Sequence, residues 1–194
     1  MNLAMTMPIT LEGKRPIGTG GFLDQGKLVE SFGIISGMKI ADFGCGAGYF
    51  TIFLAQKTGP SGRVYGLDVV ESALDSVRAK ARVSGLNNVE TIRANLEMSG
   101  SSGLANESQD VVLLANILFQ SNKRGDIIKE AGRVLKEGGR LIIIDWKKGI
   151  GSLGPPEGIR TDKDELQGLA EKDGFVLERP IDAGQFHFGL VFKK

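Results

Sequence analysis

Residues 38–55, MKIADFGCGAGYFTIFLA, set an apolar run ending in Asp42 directly before glycines at 44, 46 and 48. An amphipathic pattern over 49–56 follows at once. Such an order reads as a buried strand, a bare backbone turn and a helix, with the turn open to a ligand. Outward from this unit the alternation continues. Short β-branched runs at 63–69, 89–95, 110–116 and 140–146 read as buried strands. Helical patterns fall at 72–84 and 126–136, the latter stopping at EGG, and a leading amphipathic helix covers 23–35. Strand and helix in alternation predict an α/β fold, a three-layer αβα arrangement with a doubly wound parallel sheet. A further helix over 161–174 takes Thr161 as its N-cap and Gly174 as its stop. FVLERPI and QFHFGLVF are then separated by DAG alone, too short a link for a parallel crossover, so these two strands run antiparallel.

The 194 residues suit one domain, expected over 23–194, with residues 1–22 as an irregular Gly/Pro-rich arm able to close over a ligand. Twenty-four basic against 23 acidic residues leave a net charge of +1, which gives no reason to expect nucleic acid or a membrane surface as partner. A small-molecule partner is favoured, and the chain is expected as a monomer or homodimer. Cys45 is the only cysteine, so no internal disulfide or multi-thiolate metal site is available and no metal is expected. The N-terminus lacks a basic signal-type region and no run of 18 uncharged apolar residues occurs. A cytoplasmic protein is the expectation.

The glycine turn decides the ligand. In open α/β sheets ligands bind beyond the carboxyl ends of the strands where strand order reverses. Gly44 and Gly46 let backbone approach a ligand, and Gly48 opens the helix whose N-terminus presents free N–H groups. Asp68 closes the second strand, where a carboxylate accepts hydrogen bonds from both ribose hydroxyls. The dinucleotide spacing G-x-G-x-x-G is missed, because the third glycine falls one residue early and Tyr49 takes its place. Asp42 would also repel a pyrophosphate. An adenosyl ligand bearing an ammonium and a sulfonium, S-adenosyl-L-methionine, fits this charge pattern better than NAD.

With IADFGCGAG, GRVYGLDVVESAL, NNVETIRANLE, SQDVVLLANIL and VLKEGGRLIIIDWKK in hand, the sequence resembles the class I, seven-stranded S-adenosylmethionine-dependent methyltransferases from about residue 26 to 194. Within the class it resembles the small bacterial enzymes similar to the quinone-biosynthesis C-methyltransferases. The resemblance implies a Rossmann-like sheet in the order 3-2-1-4-5-7-6 with the last strand antiparallel. It also implies that the backbone around Gly44, Cys45, Gly46 and Gly48 holds the methionine part, with Asp42 near its ammonium. By the same resemblance Asp68 takes the ribose, Val69 packs on the adenine, Asn95 and Leu96 border its edge, and Asn116 lies beside the methionine moiety and the substrate entrance. The product would be S-adenosyl-L-homocysteine and the acceptor a small molecule.

Methyl transfer from a sulfonium is an in-line displacement that asks the protein mainly to align partners and exclude water. A base is needed only where the acceptor loses a proton. His187, the sole histidine, and Asp145, at the end of the fifth strand, are the candidates for catalysis; their plain alternatives are a satisfied histidine between two phenylalanines and a loop-capping carboxylate. Trp146 is a candidate pocket wall. Tyr49 either meets ligand or packs under the arm. Arg160 either fixes an acidic substrate or is solvated. Cys45 reads as small packing rather than a nucleophile. GFLDQGKL nearly matches a phosphate loop, but Leu28 replaces the metal-binding hydroxyl and no strand precedes it. ANILFQ after the fourth strand lacks the Asn/Asp-Pro-Pro-Tyr/Phe turn of amine and amide methyltransferases, and a single cysteine argues against arsenite as acceptor. A catalytically silent binding subunit is the alternative to an enzyme.

Overall fold

In the computed structural model, which describes residues 23–194 apart from Ser152, the alternation resolves into seven strands and five α-helices. These are α1 (Gln25–Ser31), β1 (Lys39–Phe43), α2 (Thr51–Thr58), β2 (Arg63–Asp68), α3 (Glu71–Val83) and β3 (Val89–Arg93). There follow β4 (Gln109–Ala115), α4 (Arg124–Val134), β5 (Leu135–Trp146), α5 (Lys163–Lys172), β6 (Val176–Ile181) and β7 (His187–Lys193). The sheet order is β3-β2-β1-β4-β5-β7-β6, as the resemblance implies. β7 runs antiparallel to both β5 and β6. Strand order reverses between β1 and β4, the place where an α/β sheet opens its crevice.

Alternation along β5 shows why the sheet needs two covering layers. Leu141 and Ile143 belong to the core on the α4–α5 side, whereas Ile142 and Ile144 belong to the core shared with α1 and α2. Each of the four is fully buried, since a central strand presents successive side chains to opposite faces.

Several boundaries differ from the sequence reading for identifiable reasons. The leading helix is confined to α1, with Asp24 as N-cap accepting from the Lys27 N–H. The helix after the glycine turn begins at Thr51 rather than at 49, because Gly48 closes a turn onto the Cys45 carbonyl. The N-cap of α5 is Asp162, whose carboxylate accepts from the Asp164 N–H, and Thr161 is buried before it. EGG is not a plain helix stop: Leu135 already pairs with Gln109, and the ladder is interrupted before resuming at Arg140 and Val111. The expected arm lies outside the described residues, and so does any packing of Tyr49 beneath it. No described helix is long and apolar enough to cross a membrane.

The polar loop at 98–109 is anchored through one buried carboxylate. Glu130 of α4 accepts from the Gly100 N–H, the Ser102 hydroxyl and the Arg133 guanidinium at 2.6–2.8 Å. Burial alone would raise its pKa, but these bonds reverse the effect and hold it at about 2. Its stabilising contribution is therefore complete above pH 4.5, the ordinary value, and is lost as pH falls toward 2. Glu130→Ala is expected to lower stability by on the order of 2 kcal/mol, measured by urea unfolding at pH 7, with the deficit shrinking in acid.

Candidate active site

At the carboxyl end of β1 the backbone turns through Gly44 and Gly46 in left-handed conformations, φ +72° and +51°. The Gly44 and Cys45 N–H groups both donate to the Leu67 carbonyl, at 2.8 and 2.9 Å, which pins the turn to β2. Asp68 completes the brace: its carboxylate accepts from the Gly46 N–H and the Val70 N–H, each at 2.9 Å. A side chain at 44 would collide with Ile117 at 2.5 Å, whereas a Cβ at 46 meets nothing within 4 Å. Gly44 is thus demanded by packing and Gly46 faces free space.

Two cavities meet over this turn, sharing Gly44, Gly46 and Gln120 in their walls. One, of about 440 Å³, is bordered by Asp68, Val69, Asn95 and Leu96, with Val70, Ala73 and Ile127 completing an apolar slot and Glu97 and Ser121 at its rim. The other, of about 430 Å³, is bordered by Asp42, Cys45, Tyr49, Asn116 and Trp146, with Phe50, Phe119, Gly154 and Pro155. All the predicted binding residues except Gly48 therefore line one cleft. Gly48 instead gives α2 and α3 their close approach, since a Cβ there would stand 3.0 Å from Val77. Gln120, Glu97, Ile117 and the strap residues Gly154 and Pro155 were not anticipated. Only Gln120 carried a signal, its position in the turn after the fourth strand.

Asp42 is 1% exposed and its one side-chain partner is the Thr51 hydroxyl at 2.6 Å. Burial raises its pKa to about 7, the Thr51 bond offsets part of this, and nearby Asp68 adds to it. Cys45 donates weakly to the Gly46 carbonyl, and burial together with Asp42 and Asp68 pushes its thiol well up, so it packs rather than reacts. Lys80 stands 4.7 Å over the Tyr49 ring and donates to the Ala47 carbonyl, stitching α3 to the turn.

Asp145 and His187 are not brought together. In the β5–β7 ladder His187 faces Trp146 and Asp145 faces Phe188, so the two side chains leave opposite faces of the sheet. Neither lines the cleft. Asp145 accepts from the Phe119 N–H at 3.2 Å and the Trp146 N–H at 2.8 Å, and burial raises it to about 6 against those bonds. His187 is fully buried behind Trp146, ring centroids 4.1 Å apart, and burial, with Lys147 and Arg160 adding, lowers it to about 4.

Arg160 is neither solvated nor available to a substrate. Its Nε–H donates to the Pro155 carbonyl at 2.9 Å, Nη1 to Lys147 at 3.0 Å and Nη2 to the Gly151 and Leu153 carbonyls, with Glu157 as ion partner. The fork therefore ties the strap between β5 and α5 into one piece, and Gly154 of that strap lies flat on Trp146. Arg160→Lys is expected to accelerate amide hydrogen exchange across residues 149–158 by roughly tenfold or more, read by mass spectrometry, while β1 and β4 stay protected.

The charge of the cleft tests the expected ligand. Among the described residues its walls carry Asp42, Asp68 and Glu97 and no lysine, arginine or histidine. Glu97 has Lys123 at 4.0 Å, but among the described residues Asp42 and Asp68 make no ion pair, and this anionic excess suits a ligand bearing positive charge and repels a pyrophosphate. The open face of Gly46 and the apolar slot beyond Asp68 fit the two ends of an adenosyl amino acid.

Comparison with known proteins agrees. A methyltransferase-domain family model matches residues 34–174. Demethylmenaquinone methyltransferase of Lactococcus lactis is 34% identical over 120 residues, 61% of this chain and 46% of that protein. Arsenite methyltransferase of Homo sapiens is 34% identical over 164 residues, 74% of this chain and 43% of that protein. The chain thus spans less than half the length of these curated relatives. The crystal structure of a SAM dependent methyltransferase from Aquifex aeolicus superposes with a TM-score of 0.80 at 29% identity, covering 88% of this chain and 89% of that one. The chain belongs to the class I S-adenosylmethionine-dependent methyltransferases.

Proposed function

We propose that the protein transfers a methyl group from S-adenosyl-L-methionine to a small-molecule acceptor held in the cavity walled by Trp146 and Phe119. The observation that carries this reading is the anionic cleft over an open Gly46, its walls free of cationic side chains among the described residues. Bound there, S-adenosyl-L-methionine supplies an electrophilic methyl group on its sulfonium. Asp42 attracts the ammonium, Asp68 receives the ribose hydroxyls, and Val69 with Leu96 flanks the adenine. The backbone of Gly44 and Gly46 gives the methionine part room, and Tyr49, Phe119 and Trp146 exclude water from the transfer zone.

The part of Asp145 in this reading is positional. By holding the Phe119 and Trp146 N–H groups it fixes two walls of the acceptor cavity. His187 backs the Trp146 ring in the same way. Acceptors that need no proton removed by the protein at the moment of transfer suit such a site.

Calorimetric titration with S-adenosyl-L-methionine, S-adenosyl-L-homocysteine and NADH tests the donor, with binding expected for the first two only. Tight NADH binding without the others would end this reading. Radiolabel transfer from the methyl donor into a metabolite extract separates an enzyme from a silent binding subunit, and label in an extractable small molecule is the expected result.

A further inference from the structure

Asn116 stands at the tip of β4 in a left-handed conformation, φ +57°, one of two non-glycine residues with positive φ among the described residues. Its main chain is fully engaged: the N–H donates to the Ile144 carbonyl at 2.8 Å and its carbonyl accepts from the Gln120 amide at 2.7 Å. Its side chain is not. The residue is 6% exposed and lines the Trp146 cavity, yet both Oδ1 and Nδ2 are buried without a partner among the described residues. A buried amide lacking both of its bonds is a standing deficit of about 1–3 kcal/mol per group, and strained, unsatisfied groups of this kind gather where a ligand completes them.

Charge narrows the ligand. Among the described residues no cationic side chain lines this cavity, and Arg160, whose guanidinium stands 5.9 Å from the Trp146 ring centroid, has its donors consumed by the strap and Glu157. An anionic acceptor would meet Asp42 with no side-chain cation of the described residues to oppose it, the donor's sulfonium alone offsetting its charge. A cationic acceptor would compete with the donor's ammonium for that single carboxylate. A neutral molecule with an apolar body meets neither obstacle.

Resting on the donor assignment above, we propose that the methyl acceptor is uncharged, with an apolar ring or chain lying against Phe119 and Trp146, and that the Asn116 amide recognises it through one hydroxyl or amide-like group that both donates and accepts. Asn116 is then a specificity-determining residue, selecting by hydrogen bonding what the cavity selects by neutrality.

The test uses the chain saturated with S-adenosyl-L-homocysteine and three probes of one shape: 2-naphthol, 2-naphthoate and 2-naphthylmethylammonium at pH 7. Affinities come from calorimetry, and quenching of Trp146, the only tryptophan of the chain, places the probe in the cavity. 2-Naphthol is expected to bind and quench, with both charged probes at least tenfold weaker. Asn116→Gly removes the amide while easing the positive φ, so its fold is preserved. It is expected to weaken 2-naphthol by roughly tenfold, with a smaller fold-change in S-adenosyl-L-homocysteine affinity. Naphthoate binding as tightly as naphthol overturns the neutrality argument. Asn116→Gly weakening S-adenosyl-L-homocysteine while sparing naphthol overturns the acceptor role and makes Asn116 a donor ligand. Absence of S-adenosyl-L-homocysteine binding by the unsubstituted chain defeats the donor assignment itself, a distinct result seen before any probe is added.

Discussion

Asp42→Asn is expected to stabilise the fold at neutral pH and to weaken S-adenosyl-L-homocysteine binding by roughly 10- to 100-fold. Both effects come from one buried carboxyl. Its pKa in the fold is about 7 against an ordinary 3.8, so the fold prefers the protonated form. The stability this contributes is complete below pH 3.8 and is lost as pH rises through about 7, leaving an ionised group in an apolar cavity above that. Asparagine keeps an acceptor for the Thr51 hydroxyl and removes the charge. At pH 8 the variant should be more stable by on the order of 2 kcal/mol, roughly 5 °C in melting temperature, with the difference vanishing toward pH 4. Donor binding behaves oppositely because the ammonium needs the carboxylate. Affinity of the unsubstituted chain should fall about tenfold per pH unit below 7, and the variant should show a flat profile. Calorimetry at pH 6, 7 and 8 on both proteins measures this. Equal affinities with the same pH slope would remove Asp42 from the donor site.

How much of this was legible without coordinates follows the range of the interactions involved. Topology could be read because β-branched runs and helical periods alternate locally, and because DAG is too short for a crossover. The glycine turn could be read because Asp42, Gly44, Gly46 and Asp68 sit at fixed offsets on consecutive elements. Catalysis was harder. Asp145 and His187 each stand at the carboxyl edge, as their strand positions imply, but the side from which each leaves depends on register between β5 and β7, set across 42 positions of chain. Placing His187 opposite Trp146 rather than opposite Asp145 reverses its face. Arg160 was read as solvated or substrate-binding because nothing local reveals that its own strap curls around it. Gln120 and Glu97 reach the cleft only through the fold of loops after β4 and β3. The glycine turn and the family resemblance together supplied the donor, and the resemblance the strand order; Trp146 could be read as a pocket wall from its place at the strand end, while Phe119, Gly154 and Pro155 joined it only through tertiary structure.

Gly46→Ala and Gly44→Ala are expected to fail in different ways, and the difference separates the ligand's demand from the protein's own. Both glycines hold positive φ, so alanine at either introduces strain of roughly 1–2 kcal/mol. At Gly44 a Cβ additionally meets Ile117 at 2.5 Å, in a turn whose N–H groups are already tied to Leu67. Overpacking there should raise the total loss to about 3 kcal/mol, visible as a large fall in urea midpoint whether or not ligand is present. At Gly46 the new methyl meets no atom of the described residues within 4 Å, and the Gly46 N–H can keep its bond to Asp68. Stability should therefore drop only by the strain. The methyl instead occupies the space between the two cavities, where the proposed donor placement puts the methionine part. S-adenosyl-L-homocysteine affinity is expected to fall roughly 100-fold in a protein that still unfolds cooperatively, a loss of about 2.7 kcal/mol confined to the bound state. Wild-type affinity in Gly46→Ala would mean that the ligand lies elsewhere, the positive φ of the turn then being the whole reason for a glycine at that position.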